Sequence, residues 1–200
     1  MNAFIRLASA IVVLGLAACG SPAPKEQYFT LASPHPGVAP AGGETPSVYV
    51  GPVSVPEAVD RSEMVLSTAP NQVDVNEEYL WAEPLGRAIP RVVAEALGRD
   101  LGSSRVLASR AASGTPVDFR VAIEIQRFDS SLADGATIDA LWTVTGMGDK
   151  RSRPGRTVAH EPSATREPAA LAAAHSRALE HIARDIAAAI KSLGGGAQQH

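Results

Sequence analysis

Phe119-Arg120-Val121-Ala122-Ile123-Glu124-Ile125-Gln126 decides the fold. Phe119, Val121, Ile123 and Ile125 alternate with Arg120, Ala122, Glu124 and Gln126, the period-two pattern of a strand with one face in a core and the other toward water or a partner. Ile138, Ala140, Trp142 and Val144 alternate in the same way, with Asp139, Leu141 and Thr143 facing oppositely. Asp129 to Gly135 lies between the two runs and closes on Asp-Gly, a turn signal that predicts an antiparallel hairpin. Gly148 to Gly155 reads as a basic turn (Lys150, Arg151, Arg153), and Thr157 to His160 as a third strand.

A sheet with one apolar face needs a cover, and two stretches offer one. Leu85, Ala88, Ile89, Val92, Val93, Ala96, Leu97 and Leu101 recur at three- and four-residue steps, one apolar face of a helix that Gly102 ends. Pro84 suits its first turn, whereas Pro90 removes an interior hydrogen bond and predicts a kink or a restart. From about Pro168 to Leu193, Leu171, Ala174, Ala178, Leu179, Ile182, Ile186, Ile190 and Leu193 form a second apolar stripe, and Gly194-Gly195-Gly196 is expected to stop that helix. The fold class is therefore α+β, a largely antiparallel β-sheet packed against two long amphipathic helices.

Upstream the pattern is patchier. Tyr28 to Leu31 is β-prone, Ala32 to Pro46 is rich in Ala, Pro, Gly and Ser and reads as a loop, and Ser47 to Val55 is a strand-like run interrupted by Gly51-Pro52. A proline there indicates an edge strand or a bulge. Glu63 to Leu66 and Gln72 to Val75 read as short strands joined through Ala69-Pro70-Asn71, and Arg105 to Ser109 as another.

The N-terminus carries a different message. Arg6, the apolar run Ile11 to Leu16 and the junction Leu16-Ala17-Ala18-Cys19 describe a secretory leader too short to span a bilayer. Cys19 is the only cysteine, so it has no intramolecular disulfide partner. The four residues resemble the bacterial lipobox, in which the cysteine is acylated and becomes the first residue of the mature chain. The expected organisation is a lipoprotein signal peptide over 1–18, a lipidated tether over 19–27, one domain over 28–194 and a disordered tail over 195–200.

Composition narrows function by exclusion. A formal charge of −3 with dispersed basic residues offers no electrostatic case for nucleic acid. No two histidines share a metal-ligand spacing; His175 and His181 stand six apart and leave a helix on different faces. His160-Glu161 lacks the second histidine of a zinc-protease motif, and neither a Gly-x-Ser-x-Gly elbow nor a phosphate-loop glycine run is present. The expectation is a non-enzyme without metal or cofactor. Trp142, on an apolar face, reads as core; Trp81 reads as a wedge under the first long helix or as a partner contact. The basic turn reads as a solvated hairpin tip or a contact for headgroups or an acidic partner, and Asp60-Arg61 as a buried ion pair or a surface pair.

Taken in order, these motifs resemble the PqiC (YmbA-type) ABC-transport auxiliary lipoproteins. The resemblance runs through Tyr28-Phe29-Thr30-Leu31, Val50-Gly51-Pro52-Val53, Val55-Pro56 with Asp60-Arg61 and Val65, and Trp81-Ala82-Glu83-Pro84-Leu85. It continues through the strand ending at Phe128-Asp129, the strand carrying Trp142, and Ala174-His175-Ser176 in the last helix. The resemblance implies a periplasm-facing outer-membrane lipoprotein, with a diacylglycerol and an N-acyl lipid on Cys19 as its covalent anchor. It implies work with an MCE-domain protein and an inner-membrane permease in moving phospholipids or other hydrophobic molecules between membranes, and self-association as well. Gly20-Ser21 lacks the aspartate that retains lipoproteins at the inner membrane of enteric bacteria. Asp60, Arg61, Trp81, Glu83, Pro84 and Leu85 are the candidate partner-contact residues. A periplasmic lipid-binding carrier is the competing reading, and it would need an apolar cavity lined by Val121, Ile123, Leu179 and Ile182.

Overall fold

The computed structural model describes residues 25–33, 45–108 and 114–195. The leader, Cys19, most of the loop expected over 32–46, Ser109 and the tail from 196 lie outside the described residues. The elements are β1 (Gln27–Phe29), β2 (Val48–Ser54), a 3-10 turn (Glu57–Val59), β3 (Glu63–Ala69), β4 (Gln72–Trp81), α1 (Leu85–Leu101), β5 (Val106–Leu107), β6 (Phe119–Ser131), β7 (Gly135–Gly146), β8 (Ser152–Glu161) and α2 (Pro168–Gly195).

The sheet is built outward from β6. One edge of β6 pairs antiparallel with β7 from Phe119↔Gly146 to Ser131↔Gly135, and β7 pairs antiparallel with β8. The other edge is shared by two strands in tandem, both parallel to β6. β2 pairs with its first half, from Val48↔Phe119 to Ser54↔Glu124, and β3 touches its far end at Leu66↔Ser130. β5 extends the sheet beyond β2, while β4 pairs antiparallel with β3 and carries β1 at its outer edge. The long ladders are antiparallel, as expected, but the parallel pairings make the eight-stranded sheet mixed.

Both helices lie on one face of the sheet and against each other, α1 over β2 and β5 and α2 over β6, β7 and β8. The predicted stripes are the buried ones: Leu85, Ile89, Val92, Val93 and Leu97 from α1, and Leu171, Leu179, Ile182, Ile186 and Ile190 from α2. They meet Val121, Ile123 and Ile125 of β6 and Ile138, Ala140, Trp142 and Val144 of β7 in one core. Each such aliphatic side chain, removed wholly from water, contributes about 1.5–3 kcal/mol. Polar ties then fix the layers. Trp142 Nε1 donates to Thr157 Oγ1 at 3.0 Å, and that hydroxyl donates to Asp185 Oδ2 on α2 at 2.7 Å. Arg99 of α1 pairs with Glu180 of α2 at 2.5 Å.

Several boundaries differ from expectation. α1 runs unbroken through Pro90. The carbonyl that loses its partner to the proline belongs to Gly86, which lines an open cavity rather than the core. Gly194 and Gly195 are still helical, so α2 outruns the expected stop and Gly195 belongs to the helix rather than the tail. β8 starts at Ser152, which places Arg153 on a strand instead of in a turn. Gly102, by contrast, ends α1 as predicted, in the left-handed conformation at φ 62°, with Ser103 N–H closing on Gly98 O at 2.8 Å.

A candidate docking groove

The second face of the sheet has no helix over it. Its groove forms where β2 departs from regular pairing, between Val50 and Val53. Gly51 makes this bulge possible: its φ is +152°, and a Cβ there would stand 2.9 Å from Tyr49 Oη. The bulge was legible in Gly51-Pro52 alone. Beside it a cavity of about 620 Å³ is lined by Tyr49, Pro52, Gly86, Pro90, Ala122 and Thr143, among others. A second, of about 540 Å³, continues from Val53 and Gly86 to Val55, Asp60, Pro84 and Arg87 at the start of α1. A third, of about 240 Å³, runs from Pro52 across Ala122 and Thr143 to Leu141 and Glu124. The three share lining residues and form one groove that runs from the open sheet face around the Gly51-Pro52 bulge to the start of α1. Two cations stand at this groove, Arg87 at the start of α1 and Arg120, which lies over the Tyr49 ring, 5.0 Å from its centroid.

The sequence-predicted site residues divide between this groove and the core. Asp60 is exposed at the end of the 3-10 turn and lines the groove, as does Pro84, whose carbonyl accepts from Arg87 N–H at 2.8 Å and Ala88 N–H at 3.0 Å. Arg61 is exposed, and among the described residues no ion pair joins it to Asp60, so the two form neither a buried pair nor a surface one. Glu83 pairs with Arg91, which also donates to Leu31 O at 2.8 Å and so ties the chain after β1 to α1. Leu85 and Trp81 are core residues. Trp81 is buried and packs edge-on against Phe128 of β6 and His175 of α2, so its ring lies in the core beside the last helix.

His175 is the residue whose role sequence reasoning did not foresee. It is fully buried, stacked on Phe128 with ring centroids 4.0 Å apart, and its Nε2 is 2.8 Å from Ser130 Oγ. Its Nδ1 has no hydrogen-bond partner. Burial pushes its pKa down from 6.5 to about 3, so the ring is neutral at physiological pH. Its position on the apolar stripe, one residue after Ala174, was the available signal. Within the basic turn, Arg151 donates to Leu193 O at 2.9 Å and Arg153 to Ser192 Oγ at 2.6 Å, so two of its three cations reach the C-terminal end of α2 while staying exposed.

The electrostatics are structural too. Two Arg156 hydrogen bonds, at 2.9 and 2.6 Å, hold the Asp139 carboxyl below its usual range, and Ser47 does the same for Asp118. No group of three or more His, Cys, Asp or Glu side chains suited to a metal occurs among the described residues.

A family model described as the ABC-type transport auxiliary lipoprotein component matches residues 29–187. The chain belongs to this family. That agrees with the resemblance read from the motifs, and it makes the protein a transport auxiliary component of lipoprotein type. No characterised protein matches it in sequence. Among solved structures it is similar to protein XCC0632 from Xanthomonas campestris, of the DUF330 family, with TM-score 0.68 at 20% identity over 87% of this chain and 99% of that one. It is also similar to an uncharacterized protein, with TM-score 0.63 at 17% identity over 83% and 99% of the two chains. At these identities the likeness concerns the fold. Among the described residues no helix is long and apolar enough to cross a membrane. For the auxiliary lipoprotein family the motif residues acquire a common place: Val50, Gly51, Pro52, Val53, Val55, Asp60 and Pro84 all line the groove.

Proposed function

We propose that this auxiliary lipoprotein is held at the periplasmic face of the outer membrane by acylated Cys19. There it docks the end of an MCE-domain assembly served by an inner-membrane permease that moves phospholipids or other hydrophobic molecules. The observation that carries the reading is the location of the open space. The groove lies outside the core, passing from the uncovered sheet face around the edge at Gly51-Pro52 to the start of α1, and several family-motif residues line it. A carrier would need its space between sheet and helices. Val121, Ile123, Leu179 and Ile182, the residues that would line such a cavity, are 0–3% exposed, and they belong to one packed core. That supports docking over carriage.

A photo-crosslinking amino acid at Ala122, in the groove, tests this in intact cells against one at Arg184, exposed on the helix side. The expected result is a covalent adduct with an MCE-domain protein from position 122 and none from 184. Adducts with lipid alone from position 122, or equal protein adducts from both positions, would overturn the docking assignment.

A further inference from the structure

β3 and β4 form an arm. β4 is paired with β1 only at its end, through Gln27↔Tyr79 to Phe29↔Trp81, and Glu63 at the start of β3 lies opposite Leu80 at the same level. From there the hairpin continues to its turn at Pro70-Asn71, where Asn71 takes φ 60°. Six strand steps from Glu63 to Ala69 carry the turn about 20 Å beyond the level of β1, with Met64, Val65 and Leu66 buried and Leu66 paired to Ser130, so that only the tip from Ser67 to Asp74 projects freely. β1 is parallel to β4, so the chain preceding Gln27 enters the sheet from the side toward which the arm points.

The tether is short against that length. Cys19 is eight residues before Gln27. Eight residues of flexible chain span about 15 Å on average and about 28 Å when fully stretched. The turn therefore stands farther beyond Gln27 than eight residues reach on average, and only a nearly straight span lifts the tip clear of the plane in which the cysteine's lipid is embedded.

The surface of the arm suits that position. From Met64 to Val73 the chain carries no charge. Tyr28, Val73 and Val75 are three of the five large hydrophobic side chains exposed among the described residues, and all three lie on β1 and β4, with Val73 at 59%. Asp74, between the two exposed valines, and Glu77 and Glu78 nearer the base disfavour an anionic surface.

We infer that the β3–β4 arm rests on the headgroup region of a zwitterionic lipid surface, a second membrane contact that fixes the domain's orientation while the lipid on Cys19 fixes its location. This rests on the anchor assigned to Cys19. The test uses the acylated, full-length mature protein in phosphatidylcholine vesicles. An environment-sensitive fluorophore is placed on Val73→Cys or, as a control, on Val158→Cys of β8, both exposed strand positions. Headgroup-attached nitroxide lipids should quench the label at position 73 at least twofold more than the label at 158. A ten-residue Gly/Ser insertion after Gly20 should abolish that difference, because the longer tether exceeds the arm. Vesicle flotation separates the two claims. Protein that fails to float overturns the anchor and the inference together, whereas floating protein with equal quenching at both positions overturns the orientation alone.

Discussion

The two faces of one sheet have opposite characters, although both come from the same alternating strands. On the covered face, Val121, Ile138, Val144, Leu179, Ile182 and Ile186 are sealed without exposure. On the open face, Leu141 is 39% exposed and Val158 60% exposed, and the same face carries small or polar side chains such as Ala122 and Thr143. The difference shows where stability and recognition reside. Side chains on the covered face hold the fold, and those on the open face are available to a partner at small energetic consequence.

The widest separation is expected from a matched pair of truncations. Ile182→Ala removes a wholly buried side chain and should lower unfolding free energy by about 2–5 kcal/mol. Leu141→Ala on the open face should change it by no more than about 0.5 kcal/mol. Chemical denaturation of both variants measures the contrast, and equal losses would mean that the open face is in fact packed.

Acid sharpens the same contrast through His175. Its folded-state pKa is about 3 against 6.5 when unfolded, so the unfolded chain binds the extra proton between those values. The stability contributed by the neutral ring is fully present above pH 6.5 and is lost as pH falls from there toward 3. At pH 5 the loss is about 2 kcal/mol. His175→Phe should flatten this part of the stability–pH curve. A wild-type curve between pH 7 and 5 no steeper than that of the variant would show that the ring is already protonated in the folded state.

A smaller effect comes from a glycine. A Cβ on Gly155 would stand 2.2 Å from the Trp142 indole, whereas one on Gly148 meets nothing within 4 Å. Gly155→Ala should cost about 1–3 kcal/mol through displaced packing, and Gly148→Ala should be close to neutral by thermal denaturation.

Where alternation was unbroken, the fold was legible. β6, β7 and both helix stripes follow from residues such as Val121, Ile123 and Ile182, because burial on one face imposes its period on the sequence. The bulge at Gly51-Pro52 was legible for the same local reason. His175 was not, because nothing in Ala174-His175-Ser176 says that Phe128 and Ser130 of a distant strand will enclose the ring. Nor did Arg151 and Arg153 betray that they reach the end of α2, since a cation run looks alike whether it meets water or carbonyls.

By itself the sequence pointed to the class of the protein: a junction at Cys19 that resembles a lipobox, an alternating hairpin and two amphipathic helices. Those are local properties, written in period, composition and neighbour identity. Only the tertiary structure decided that β2 and β3 share one edge of β6, that Val50, Gly51, Pro52, Val53, Val55, Asp60 and Pro84 converge on a groove while Trp81 and Leu85 enter the core, and that the β3–β4 hairpin points to the side from which the chain enters β1. These depend on pairings between residues far apart in the chain, and each strand's own pattern permits several neighbours until the core, closing as a whole, selects one arrangement.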